Sequence, residues 1–461
     1  MPFTLSATDL SMTPSHLQEP ARLLPVFGDY DVVVVGGGPA GLAAAASAAR
    51  HGARTLLVER YGFLGGMGTA GGVTNFAGLY ARHQGEMRQV VHGVVDELFE
   101  RLEALGGLNH PQDGMQGRIR VRSYDTSAYK CAADALLLDA GVELLFHAHA
   151  AAVLRDGARL TALVVETKSG RQAIRANVFI DASGDADVAA FAGVPHAIGD
   201  GQGSGLFPTT MFRVGHVDAE AALAAVGEFK AINDVMERAQ REHPGRYRFP
   251  RQGAILRPQI RPTEWRANVT QLKNAQGHAM NGVDARELSA GEVEGRRQIV
   301  DYFAFLRERV DGFADARIVE IAPQVGIRET RRIDGLYALC GDDIVGSARF
   351  DDAIGVNGWP MELHTDGGVE WRFPRDPERA FNELPWRMLV PRGIDNLLVA
   401  GRCASMTHEG QSAARASGAC FAMGQAAGTA AAHAGDTPMR GIDPVRLRER
   451  LRADGVWLPE D

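Results

Sequence analysis

Apolar positions along the chain follow two periods. Short runs dominated by aliphatic and β-branched residues at 32–35, 54–58, 142–146, 177–180 and 396–400 are too short for helices and right for buried parallel strands. Between 150 and 176 the pattern alternates and turns at Asp156-Gly157 and Ser169-Gly170. That predicts a small antiparallel meander over 150–155, 158–167 and 172–176. Helical spacing appears over 85–105, where Val90, Val91, Val94, Leu98, Leu102 and Leu105 share a face. A second helix is predicted over 124–141, with Asp125 as N-cap and Gly141 as stop. Two more, at 42–50 and 418–432, are built almost wholly of small residues. Strand, helix and strand in succession imply an α/β fold around a parallel sheet.

This layout divides the chain. A polar extension over 1–27 precedes a discontinuous Rossmann-like α/β domain made of 28–200 and 386–440. A mixed α+β substrate, or cap, domain is inserted over 201–385, and a charged peripheral tail occupies 441–461. A length of 461 residues agrees with two domains or one large discontinuous one. The net charge of −8, with no lysine-rich block, argues against nucleic acid as a partner. The four cysteines (Cys131, Cys340, Cys403 and Cys420) are far apart and lack metal-ligand spacing, which suits free thiols in a reducing compartment. His147 and His149 have no carboxylate or cysteine at matching spacing, so no metal is expected. The apolar stretch 31–49 is broken by glycines and a proline and reads as strand plus helix, not as a membrane span. Residues 1–27 lack an apolar signal core, and the cytoplasm is the expected compartment.

The chemistry starts at 30–60. Gly36, Gly38 and Gly41 complete G-x-G-x-x-G between a strand and a helix. The first glycine permits a tight turn, the second lets backbone approach a pyrophosphate, and the third lets helix pack on strand. The helix start offers free N–H groups to phosphate. Glu59 follows Gly41 by 18 residues, placed to accept hydrogen bonds from a ribose. Six glycines within 62–72 then let main chain lie flat against a ligand. The segment 181–187, DASGDAD, is a second place where backbone approaches one, and Asp185 and Asp187 are suited to cap the helix after it.

Taken together, the fingerprint, the segment ERYGFLGG (59–66) and VFIDASGDADVAAFAGVP (178–195) resemble the FAD-dependent oxidoreductase family of the glutathione reductase superfold. The likeness is to the branch with a single nucleotide domain, which shares its FAD-binding plan with fumarate reductases and thiazole-biosynthesis enzymes. Stretches 209–218, 322–335 and 396–432 agree with it. The resemblance implies FAD as cofactor, held by Gly36, Gly38, Pro39, Ala40, Gly41, Glu59, Arg60, Gly65, Gly66, Thr69, Ala151, Ala182, Ser183, Gly184, Gly401, Arg402, Gly418 and Ala419. It also implies that the last small-residue helix aims its N-terminus at the flavin, where reduced flavin carries negative charge. No second G-x-G-x-x-G in strand–helix context exists, Gly201 to Gly205 having neither the spacing nor the flanks, so a pyridine-nucleotide domain is not expected.

A flavin dehydrogenase needs a base for the departing proton and fixed charges to orient its substrate. His408 is the first candidate base, lying between the strand end at Gly401 and the last helix; His364, in the inserted segment, is the second. Arg328, in a cluster with Arg331 and Arg332, is a candidate anchor for a carboxylate, and Arg415 a candidate to neutralise reduced flavin or hold substrate. The plain alternatives are histidines satisfied locally and arginines paired with Glu329 and Asp334. Cys403 and Cys420 read as small space-fillers rather than redox thiols. The implied reaction is hydride transfer between a small polar molecule and flavin N5, with the dehydrogenase or oxidase direction favoured. Its rivals are reduction of an activated C=C bond and a thiazole-enzyme-like dinucleotide holder. The implied partners are the substrate and an electron acceptor (oxygen, a quinone or a protein), and a homo-oligomer is compatible.

Overall fold

The computed structural model describes residues 19–227, 230–253 and 255–459. Most of the polar extension therefore lies outside the described residues, and the first strand, β1 (Val26–Val35), starts within its last two positions. It leads through the glycine turn into α1 (Pro39–Arg50), then β2 (Thr55–Val58). After α2 (Val94–Ala104) and α3 (Thr126–Asp139) come β3 (Glu143–Leu145), β4 (His149–Asp156), β5 (Arg159–Thr167) and β6 (Gly170–Asp181).

Strands β3, β2, β1 and β6 lie side by side and parallel. The last strand of the meander and the returning strand, expected as separate pieces, are one twelve-residue strand. The first half of β6 pairs antiparallel with β5, and its last residues pair parallel with Leu397–Val399. Side-chain alternation divides β1 cleanly. Val32 and Val34 face α1 and the last small-residue helix, while Val33 and Val35 face the meander side with Phe179 and Leu163.

Two expectations for 85–105 and 441–461 are corrected. The first holds a hairpin and then a helix. Tyr80–His83 pairs with Glu86–Gln89 across Gln84 and Gly85, both at positive φ (52° and 79°), and only α2 is helical. Two consecutive residues of positive φ make the tight turn that such a hairpin requires. The C-terminal segment is not peripheral: Leu447, Leu451, Val456 and Leu458 are buried in the main core. The Asp125 cap behaves as expected, its Oδ1 accepting N–H bonds from Ser127 and Ala128 at 2.9 Å.

The inserted segment builds a four-stranded antiparallel sheet from β7 (Phe212–Gly215), β8 (Ile255–Pro258), β9 (Trp265–Asn268) and β10 (Arg317–Ile321), in the order β8-β9-β7-β10. One face, with Phe212, Val214, Leu256, Trp265 and Ala267, packs against helices that include Ala285–Arg309. The other face carries a row of partners in register: Arg257, Arg266, Arg213 and Glu320. The chain then returns through β11 (Leu397–Val399) to a short helix, His408–Ala414, and to Ser417–His433, which lies against α1.

Small residues allow those two helices to touch backbone to backbone. A Cβ on Gly424 would sit 2.0 Å from the Ala40 carbonyl oxygen, and one on Gly428 would sit 2.1 Å from that of Ala44. Gly428→Ala should therefore separate them at a cost of about 1–3 kcal/mol or more. Denaturant unfolding, read as a lower midpoint at constant slope, checks this. Among the described residues no helix is long and apolar enough to cross a membrane.

Candidate active site

A cavity of about 680 Å³ runs from the glycine turn to the polar face of the cap sheet. At its first end Gly36 has φ of +101°, and a Cβ there would lie 2.4 Å from the Ala182 carbonyl oxygen. A Cβ on Gly41 would lie 1.7 Å from the Gly36 oxygen, whereas one on Gly38 would meet only Gly66 Cα, at 3.6 Å. Gly36 and Gly41 thus serve close packing, and Gly38 faces open space. Glu59 ends β2 beside this turn and accepts N–H bonds from Gly37 (2.6 Å) and Tyr61 (3.0 Å). Burial pushes its carboxyl up, against those amides and Arg60.

Asp185 ties the neighbouring segments together. Its carboxylate receives Arg402 at 2.7 Å, Thr330 Oγ1 at 2.8 Å and Arg60 at 3.3 Å. It does not cap the next helix, and neither does Asp187, which pairs with Arg331 at 2.9 Å. The helix Asp187–Phe191 is held instead by Asp181, whose Oδ2 accepts from Ala189 N–H, and by Ser183 Oγ, which accepts from Asp187 N–H.

Of the expected cofactor residues, Gly36, Gly38, Pro39, Ala40, Glu59, Arg60, Gly66, Ala182, Ser183, Gly184, Gly401 and Arg402 line the cavity. The others stand behind it. Gly41 packs on Gly36, and Gly65 packs on Thr69, whose hydroxyl donates to Leu64 O at 2.6 Å. Gly418 abuts the Gly78 carbonyl, and Ala419 is fully buried in the core. Around them, Ser417 and Cys420 rather than Gly418 and Ala419 reach the cavity, as do Ala148 to Ala150 rather than Ala151. The helix from Ser417 has no capping side chain on its N-cap, Ala416, which itself lines the cavity. Burial pushes the Cys420 thiol up to about 12, against Arg402 and Arg415, so it is protonated at neutral pH; burial also raises the wholly buried Cys403 thiol well above its ordinary value.

The candidate bases separate. His408 does not line the cavity: its Nδ1 lies 2.8 Å from Glu329 Oε2, which also accepts the Leu206 N–H, and Arg332 pairs with the same carboxylate. His364 does line it, 4% exposed, with Nε2 3.2 Å from Glu362 Oε1. Glu362 also accepts from Trp359 Nε1 (3.1 Å) and Arg415 (3.3 Å). Burial raises the Glu362 carboxyl, but the hydrogen bond from His364 and the Arg415 and Arg328 charges outweigh it and hold the group well below the usual carboxylate range. Burial and the Arg328 charge depress His364 far below an ordinary imidazole, with Glu362 opposing, so the ring is neutral at pH 7.

Arg328 and Arg415 both line this end, while Arg331 and Arg332 are spent on Asp187 and Glu329. Arg251, Arg257 and Arg266 join them, and sequence reasoning missed all three along with Glu362. The available signal was an arginine on the alternating pattern of each strand, in ILRP (255–258) and WRAN (265–268).

Comparison with known proteins agrees with this geometry. The family model described as FAD dependent oxidoreductase matches residues 31–451. A dihydrolipoyl dehydrogenase of Trypanosoma brucei brucei is 42% identical over 93 residues, 20% of this chain and 18% of that one. A thiamine thiazole synthase of Sulfolobus acidocaldarius is 30% identical over 177 residues, 36% of this chain and 60% of that one. The chain thus spans less than two thirds of the length of these relatives. Among solved structures, a geranylgeranyl bacteriochlorophyll reductase-like protein from Thermoplasma acidophilum superposes with a TM-score of 0.47 at 13% identity, covering 92% of this chain and 83% of that one. The open space at Gly38, the acidic residue beside the turn and the uncapped helix start all suit a flavin dinucleotide. The chain belongs to the FAD-dependent oxidoreductase family, and FAD is its cofactor.

Proposed function

We propose that the protein oxidises a small polar organic substrate, as a dehydrogenase or oxidase, with FAD lying along the cavity from Gly38 and Glu59 to the start of the helix at Ser417. The observation that carries this reading is the meeting of His364, Glu362, Arg328 and Arg415 in the wall of one cavity with the glycine turn. When bound, FAD supplies a two-electron acceptor for hydride.

The chain's own groups handle what remains. Arg328, fixed by donating to Phe207 O and Thr209 Oγ1 at 2.7 Å each, presents a rigid fork to a polar handle of the substrate. His364 takes up the proton that leaves with the hydride, and Glu362 orients the ring and stabilises its charged form. Trp359 and Tyr124 help to exclude water. A neutral imidazole favours oxidation over reduction of a C=C bond, because reduction needs a proton donor at this place.

Anaerobic mixing of the FAD-loaded protein with a panel of hydroxy acids, amino acids and saturated acids tests the direction. Oxidation predicts loss of the visible flavin bands with one of them. If no member bleaches the flavin, while an unsaturated acid reoxidises pre-reduced protein, the assignment of direction is overturned.

A further inference from the structure

Two buried guanidiniums at the cap end of the cavity have only neutral groups bonded to them. Arg251 and Arg328 are 5% and 6% exposed, and both line the cavity. Arg251 donates to Asn268 Oδ1 (3.3 Å) and Gly253 O (3.2 Å). Arg328 donates to Phe207 O and Thr209 Oγ1 (2.7 Å each) and to the same Asn268 oxygen (3.4 Å). The Arg251 Nε–H is buried with no acceptor. A guanidinium carries five N–H donors, so among the described residues both forks keep donors that no protein atom receives.

The carboxylate in this part of the cavity is Glu362. It favours the charged forms of Arg251, Arg328 and Arg415 alike. Its own bonds, however, go to Arg415, Trp359 and His364. One carboxylate does not balance three guanidiniums. Arg251 also opposes the charge on Arg328, as expected of like charges that converge on one amide oxygen. Burying a charge without its counter-charge is strongly destabilising. Such a pair is retained in a cavity wall when a ligand brings the missing negative charge. The FAD diphosphate is not that ligand. Its proposed place is the glycine turn, whereas the bonds of these two guanidiniums run to residues 207, 209, 253 and 268, all in the inserted segment.

We infer that the substrate is a carboxylic acid whose anionic group sits between Arg251 and Arg328, beside Asn268. Planar guanidinium forks match a carboxylate two bonds at a time, and two forks that meet at one oxygen leave a place for an acceptor both can share. Asn268, the last residue of β9 and 6% exposed, sets that place by receiving one N–H from each fork. The inference deepens the proposed oxidation and rests on it in taking the occupant to be the substrate.

Equilibrium titration of the FAD-loaded protein, followed by the flavin spectrum and by thermal unfolding, tests it. The probes are acetate, propionate and butyrate, the corresponding neutral amides, and inorganic phosphate. The acids should bind about tenfold to a hundredfold more tightly than their amides, the range for hydrogen bonds to a charged group. Arg251→Gln should bring that ratio close to one. Asn268→Asp installs a carboxylate where both forks already point, so the preference for acids should disappear while the unfolding midpoint holds or rises. Equal affinity of the parent protein for acids and amides overturns the inference, and so does tighter binding of phosphate. An undiminished preference in folded, FAD-loaded Arg251→Gln or Asn268→Asp overturns it too. Should Arg251→Gln lose its fold or its flavin, the parent ratio and Asn268→Asp decide. The two readings fail separately. An acid that binds selectively while no acid ever reduces the flavin sinks the oxidation and spares the seat. A neutral compound that reduces the flavin, with no preference for acids over amides, does the reverse.

Discussion

The His364→Ala protein takes up FAD as the parent does, yet substrate reduces it about a hundred- to ten-thousand-fold more slowly, the range set by loss of a positioned general base. Anaerobic stopped-flow reduction, with flavin content measured on the same sample, gives both numbers. Unchanged reduction at full flavin content removes His364 from the chemistry. The pH profile adds a sign. Burial and Arg328 lower the imidazole, Glu362 raises it and Arg415 lowers it, and the net direction is down from 6.5. The base therefore stays unprotonated through neutral pH, and kcat/KM, which reports the free enzyme, falls only at a pH below about 6.5. Glu362→Gln removes the opposing charge and moves that acid limb lower still.

Gly41→Ala yields a chain without flavin. The added methyl would sit 1.7 Å from the Gly36 oxygen, and Gly36 has no room to retreat because Ala182 O stands 2.4 Å from where its own Cβ would be. The helix start must then leave the strand, with a loss at or beyond the ~3 kcal/mol upper end of ordinary overpacking. Flavin content after gel filtration and the unfolding midpoint both fall. Gly38→Ala separates packing from binding. Its methyl meets only Gly66 Cα, at 3.6 Å, so the midpoint of the FAD-free protein should hold while FAD affinity drops. Retention of FAD by Gly38→Ala would place the diphosphate elsewhere.

What could be read in advance was local. The strand–turn–helix at 32–50, the Asp125 cap and the small-residue helix at 417–433 are each settled by neighbours within one or two turns. Residues 85–93 misled because Gln84-Gly85, a two-residue hairpin turn, sits in front of apolar positions that also suit a helix. The cap end of the cavity is a long-range construction. Glu362 comes from the short strand Met361–Leu363 and His364 from its end, Arg328 from a loop, Arg415 from between two helices, and Arg251, Arg257 and Arg266 from the cap. No spacing in the chain announces that they meet. His408 looked better placed by its position in sequence, but Glu329, 79 residues away, claims its ring. The C-terminal helix showed its charges plainly, while Leu447 and Leu451, four apart, were the sign that one stripe of it is buried.

The cap sheet keeps two functions on opposite parities of its pleat. Trp265 and Ala267 anchor it to the helices behind, while Arg266, between them, looks the other way with its partner Arg257. A change at an even position of that strand alters the polar lining of the chamber, and a change at an odd one alters whether the wall stands at all. A lineage, or an experimenter, can thus rewrite the charge of that wall at a few guanidinium positions, with the glycine turn on the far side left untouched.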